Sequence, residues 1–124
     1  MAPLLIIEDD PDLRDALSEL LSGEGYAVAT AAEGEEGLER LHASPRPSLV
    51  LLDLMLPNMD GFEFRVRQLG DPEVADIPVV VFSGGGDLAR KAAGLEPAAS
   101  LMKPLDFDRL LDCIAAATKR LSPN

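Results

Sequence analysis

Three apolar runs in this chain each stop at a residue with a reactive oxygen. Leu4-Leu5-Ile6-Ile7 runs into Glu8 and Asp9, Leu49-Val50-Leu51-Leu52 into Asp53, and Val79-Val80-Val81-Phe82 into Ser83. A shorter fourth, Leu101-Met102, ends at Lys103. Unbroken apolar runs of this length, bounded by turn residues, indicate strands buried on both faces, as in a parallel sheet. In an open parallel sheet the carboxyl ends of the strands line one rim, where ligands bind. Three acids, a hydroxyl and an ammonium are therefore expected in one crevice. That composition suits phosphate and a divalent metal.

The intervening segments read as helices. Pro11 is preorganised for a first helical position with Asp10 as the cap. Leu13, Ala16, Leu17, Leu20 and Leu21 then share one face, and Ser22-Gly23-Glu24-Gly25 closes the helix. The first strand is expected over residues 3–7, and a weaker one over residues 27–31. A helix over 34–41 is ended by Ser44-Pro45-Arg46-Pro47. Beyond Asp53, the turn Pro57-Asn58-Met59-Asp60-Gly61 leads into a helix with Phe62, Val66 and Leu69 at helical spacing. The flexible Gly84-Gly85-Gly86 precedes a short helix over 87–93. The last helix carries a stripe of Phe107, Leu110, Leu111, Ile114, Thr118 and Leu121.

Strand alternating with helix implies an α/β fold: a doubly wound, five-stranded parallel sheet with helices on both faces. The flavodoxin-like strand order 2-1-3-4-5 puts the switch point between the first and third strands, beside Glu8, Asp9 and Asp53. A length of 124 residues fits a single domain, read as spanning 1–124 with no effector domain. The formal net charge of −11 argues against direct binding to nucleic acid or to an anionic membrane, both of which require a basic patch. No signal-peptide pattern or membrane-length apolar run is present, and Cys113 is alone, so a cytoplasmic protein without disulfides is expected.

Three neighbouring carboxylates repel one another and require a partner. Mg2+ takes oxygen ligands in octahedral geometry and keeps several waters, so two or three acids suffice. Asp9 and Asp53 are the expected direct ligands, Glu8 acts through water, and the Met55 carbonyl completes the protein's share. A carboxylate is also a nucleophile toward phosphorus. Asp53 ends the central strand, between the metal side and the lysine side, and is the expected phospho-acceptor. Lys103 and Ser83 are expected to hold the phosphoryl oxygens.

These residues together resemble a receiver (response regulator) domain of two-component signalling. The resemblance rests on Glu8-Asp9-Asp10, on Asp53 within Leu51-Leu52-Asp53-Leu54-Met55-Leu56-Pro57-Asn58-Met59-Asp60-Gly61, on Phe82-Ser83-Gly84 and on Lys103-Pro104. It implies that Asp53 accepts phosphate from the phosphohistidine of a sensor histidine kinase or phosphotransfer protein, with magnesium. It also implies that Lys103 contacts the phosphoryl group and precedes a cis proline. Ser83 would move toward the phosphate and signal to the face built from the fourth helix, fifth strand and fifth helix. The downstream partner is an unknown protein, and a homodimer is compatible with the resemblance. Ser100 stands where family members often carry an aromatic switch residue, which points to a different output motion.

Two other functions share part of this pattern. A haloacid-dehalogenase-like phosphatase also uses an aspartate nucleophile after a buried strand, but requires a second acid two residues on, where this chain has Met55. A receiver-like scaffold working without phosphate is disfavoured because every pocket residue has the right chemistry. The expectation is thus a phospho-accepting signalling module, not an enzyme, which catalyses only its own phosphorylation and dephosphorylation. His42, the only histidine, is expected to be a solvated helix-end residue.

Overall fold

The computed structural model describes residues 2–84 and 87–119. Strands and helices alternate as β1 (Leu4–Ile7), α1 (Pro11–Gly23), β2 (Val28–Ala31), α2 (Gly34–Leu41), β3 (Leu49–Asp53), α3 (Gly61–Leu69), β4 (Val79–Ser83), α4 (Asp87–Ala93), β5 (Ala99–Met102) and α5 (Phe107–Lys119). All strand pairs are parallel and the order is β2-β1-β3-β4-β5, as expected from the alternation. The expectations for Gly85, Gly86 and Leu121 lie outside the described residues.

Side chains alternate across the sheet with the period of a strand, and this divides the core in two. Leu5, Ile7, Val50, Leu52, Val79 and Val81 face one way and pack with Leu41 of α2, Phe64 of α3 and Ala92 of α4. Leu4, Ile6, Leu49, Leu51, Val80 and Phe82 face the other way, against Leu17 and Leu21 of α1 and Leu110, Ile114 and Ala117 of α5. Full burial of Leu110 and Ile114 stabilises the fold by roughly 1.5–3 kcal/mol each. β1, β3 and β4 are buried throughout, as their unbroken apolar runs require. β2 and β5 are the sheet edges and are only partly buried, so the short Leu101-Met102 run is not a strand covered on both faces. Met102 is 70% exposed.

The helix faces need three corrections. Ala16 is exposed, and the core side of α1 is Leu17 and Leu21 with Leu13 and Leu20 at its margin. Phe107 is 42% exposed at the start of α5, while Ala117 joins the buried stripe. The largest departure is α3. Val66 and Leu69 are exposed and Phe62 is half-buried, whereas Phe64, Arg65 and Gln68 face inward.

Apolar spacing failed on α3 because two of its inward positions are polar and fully paired. The Arg65 guanidinium donates from Nε and Nη2 to the Leu95 carbonyl (3.2 and 3.1 Å), from Nη2 to the Glu96 carbonyl (3.1 Å), and from Nη1 to Gln68 Oε1 (2.9 Å). Gln68 Nε2 in turn donates to the carbonyls of Val74 (3.1 Å) and Ile77 (2.9 Å). A buried polar group is tolerated only when hydrogen-bonded, and this pair satisfies two loops at the amino-terminal edge of the sheet. Burial lowers the Arg65 pKa, and the charge of Glu96 works against that shift. None of the described helices is long and apolar enough to cross a membrane.

Candidate functional site

Parallel register brings the site residues to one rim. Ile7 pairs with Leu52, Asp53 with Phe82 and Ser83 with Met102. Glu8 therefore follows β1, Asp53 and Ser83 end β3 and β4, and Lys103 follows β5. The Lys103 amide donates to the Ser83 carbonyl at 2.7 Å, extending the β4–β5 ladder by one rung. All five expected side-chain contributors (Glu8, Asp9, Asp53, Ser83 and Lys103) thus lie at the carboxyl end of the sheet.

Glu8, Asp53 and Ser83 are buried, while Asp9 is exposed at the crevice mouth. One carboxylate oxygen from each of Glu8, Asp9 and Asp53 lies within 4.8 Å of the others. The Lys103 ammonium is 3.1 Å from Asp53 Oδ2 and 3.2 Å from Glu8 Oε1, and 5.5 Å from the centre of the Phe82 ring. Asp53 Oδ1 accepts the Met55 amide at 2.9 Å. The Met55 side chain itself is 60% exposed.

The electrostatics show an excess of negative charge. Burial is the main cause that raises the Glu8 pKa to about 7, reinforced by hydrogen bonding to Asp53 and by its charge. Burial opposes the Lys103 ammonium, but its hydrogen bonds and charge contacts with Asp53 and Glu8 outweigh that penalty, so its pKa is raised. One lysine facing three acids leaves them undercompensated. The donors are all hard oxygens, and such a set fits Mg2+ better than a softer metal.

Local sequence explains how the rim is held. Asp10 caps α1, accepting the Asp12 amide at 3.0 Å. Asp60 caps α3 through the Glu63 amide at 2.8 Å. A Cβ at Gly61 would lie 2.7 Å from the Asp53 carbonyl oxygen and from Leu54 Cα, so glycine lets the start of α3 approach the end of β3. A Cβ at Gly84 would meet nothing within 4 Å, leaving open space beside Ser83. The Lys103–Pro104 peptide is cis, as the resemblance implies, and so is Ser44–Pro45.

Sequence reasoning passed over Arg14, whose Nη1 donates to the Glu8 carbonyl at 2.9 Å. The available signal was a basic residue one turn into a helix that follows an acid-rich turn. His42 is the exposed C-cap residue of α2, as expected, but it also has two acidic partners that were not anticipated. Its Nε2 is 2.9 Å from Asp71 Oδ2 and its Nδ1 is 3.4 Å from Glu73 Oε2. This group ties the loop before β3 to the loop before β4, at the opposite edge of the sheet from Asp53.

A family model described as "Response regulator receiver domain" matches residues 4–115. The response regulator MprA of Mycolicibacterium vanbaalenii is 36% identical over 98% of this chain and 52% of its own length. The DNA-binding dual master transcriptional regulator RpaA of Synechocystis is 38% identical over 97% of this chain and 50% of its own length. The chain thus spans about half the length of these curated relatives. Among solved structures, a response regulator receiver protein from Pseudomonas putida superposes with a TM-score of 0.87 at 28% identity, covering 94% of this chain and 98% of that one. Family match, relatives and fold agree with the rim geometry: this chain belongs to the response regulator receiver domain family, whose members work in phosphorylation-dependent signalling.

Proposed function

We propose that Asp53 accepts a phosphoryl group from the phosphohistidine of a sensor histidine kinase or a phosphotransfer protein. The observation that carries this reading is the placement of Asp53. It is buried at the end of the central strand, with the Lys103 ammonium at 3.1 Å and two further acids within 4.8 Å. Glu8 (through water), Asp9, Asp53 and the Met55 carbonyl are the residues that would hold Mg2+. When bound, the cation supplies positive charge to the phosphoryl oxygens.

The transfer requires positioning and charge neutralisation more than covalent help. An Asp53 carboxylate oxygen forms the new O–P bond as the P–N bond to the donor imidazole breaks. The imidazole keeps the electron pair and takes a proton from solvent. Lys103 shifts its hydrogen bonds from the two carboxylates to a phosphoryl oxygen, and Ser83 donates its hydroxyl to another. The reaction modifies the chain's own side chain, so no separate substrate is turned over.

A phosphorylated Asp53 carries up to about two negative charges in place of the carboxylate's one. Recruitment of Ser83 and Lys103 biases a two-state equilibrium of the α4–β5–α5 face. Exposed Met102 and Phe107 give that face apolar contacts for a downstream protein or for an output domain of a longer chain. Incubation with acetyl phosphate and Mg2+ is expected to add the mass of one phosphoryl group, lost in Asp53→Asn. An adduct that persists in Asp53→Asn would overturn the assignment.

A further inference from the structure

The acid cluster depends on the direction in which Asp9 points, and Asp9 is exposed. Its backbone is held from both sides. The peptide preceding it is pinned through the Glu8 carbonyl, which accepts Arg14 Nη1 at 2.9 Å. The peptide following it is pinned through the Asp10 amide, which donates to Glu8 Oε2 at 3.2 Å. The two backbone torsions of a residue are the rotations between its flanking peptide planes, so fixing both planes fixes where Cβ points. The Glu8 amide is anchored as well, donating to the Ala31 carbonyl at 3.1 Å.

Arg14 occupies an unusual position. It lies on α1 among Asp9, Asp10, Asp12 and Asp15, yet the hydrogen bond the structure gives its side chain goes to a backbone carbonyl. Past the end of β1 the Glu8 carbonyl has left the sheet ladder, and it is the guanidinium that satisfies it. An arginine held in a specific geometry by a carbonyl aims the loop rather than neutralising an acid.

We propose that Arg14 is a positioning residue for the cation site: by holding the Glu8–Asp9 peptide, it keeps the Asp9 carboxylate turned toward Glu8 and Asp53. The inference rests on the reading of Glu8, Asp9 and Asp53 as the Mg2+ site. Two effects of removing Arg14 have opposite signs, which makes the proposal decidable. Loss of a nearby positive charge strengthens the attraction of an acid cluster for a cation. Loss of the hydrogen bond frees the peptide and weakens binding, because the site must then be ordered at the moment of binding.

The test is calorimetric titration of Mg2+ into the whole chain and into its Arg14→Met and Arg14→Lys variants. Arg14→Met is expected to weaken Mg2+ binding by about fivefold to tenfold, the net size of one typical hydrogen bond. Arg14→Lys, which keeps a donor on a long stem, is expected to recover most of the affinity. With acetyl phosphate as donor, the half-saturating Mg2+ concentration of Arg14→Met should rise by the same factor, while the rate at saturating Mg2+ returns toward that of the parent chain. In metal-free protein, amide exchange at Asp9 and Asp10 should quicken in Arg14→Met only. Unchanged or tighter Mg2+ binding by Arg14→Met overturns the positioning role. Absence of Mg2+ binding by the parent chain overturns the underlying site reading, while faster exchange at Asp9 and Asp10 in Arg14→Met still supports the peptide pin.

Discussion

The Lys103 ammonium reaches Asp53 Oδ2 at 3.1 Å across fifty residues of sequence, and the same nitrogen lies 3.2 Å from Glu8 Oε1. One cation thus joins the ends of β5, β3 and β1. Both carboxylates are almost fully buried, while Lys103 remains about one-third exposed. Lys103→Met leaves two buried acids without their cation and is expected to destabilise the metal-free protein at neutral pH by about 1–3 kcal/mol, a range reduced for solvent screening of the lysine. Urea denaturation in chelator measures it. Added Mg2+ should recover part of the loss, and an equal loss with and without Mg2+ would contradict the shared-charge account.

Glu8 sets a pH dependence of unusual sign. Its pKa is raised from 4.5 to about 7 by burial first and then by Asp53, so the folded chain holds a proton that the unfolded chain has released. More protons are then bound in the folded state between those values, and stability falls as pH rises through that window. Metal-free protein is expected to melt higher at pH 5 than at pH 7.5. Glu8→Gln should flatten the difference, because a neutral amide carries no such linkage. Parallel pH profiles for the parent chain and Glu8→Gln would refute it.

Mg2+ binding should stabilise the fold by mass action, about 2.7 kcal/mol at a concentration one hundred times Kd. Asp9→Asn is expected to lose most of that gain, since it removes one of the three clustered carboxylates. Asp10→Ala, one residue on, instead removes the α1 cap and costs about 1 kcal/mol with or without the cation. Thermal melts across a Mg2+ series separate the two, and an Asp10→Ala chain that ignores Mg2+ would reassign the ligand set.

Arg65 and Gln68 should behave as one unit. Arg65→Ala leaves the Leu95 and Glu96 carbonyls and Gln68 Oε1 without their donor and is expected to cost about 2–4 kcal/mol. Arg65→Met combined with Gln68→Leu leaves neither side chain facing an unpaired polar partner, although the Leu95, Glu96, Val74 and Ile77 carbonyls still lose their donors. The pair is expected to cost less than the sum of the two single changes, as for other buried polar networks replaced together. A double-mutant cycle by chemical denaturation reads the coupling, and strict additivity would show that the two side chains act separately.

Much of this protein was legible in one dimension. The runs 4–7, 49–52 and 79–82 announce buried parallel strands because a strand covered on both faces must be apolar at every position. Their abrupt ends place Glu8, Asp53 and Ser83 at one rim, and Pro11 with Asp10 marks the start of α1 to the residue. Turn and cap chemistry is local, so sequence neighbours suffice to read it.

Tertiary structure alone decided which face of α3 is buried and which of its polar groups are paired. The α3 stripe of Phe62, Val66 and Leu69 misled because the inward face is set by the loops that α3 meets, 95–96 and 74–77, and those present carbonyls that Arg65 and Gln68 satisfy. The sequence brings Lys103 to the same rim as Asp53 and Glu8, but its contact with both carboxylates depends on distances through space that no spacing along the chain encodes. Apolar burial follows local periodicity, whereas the pairing of buried polar groups depends on what the folded chain brings opposite them.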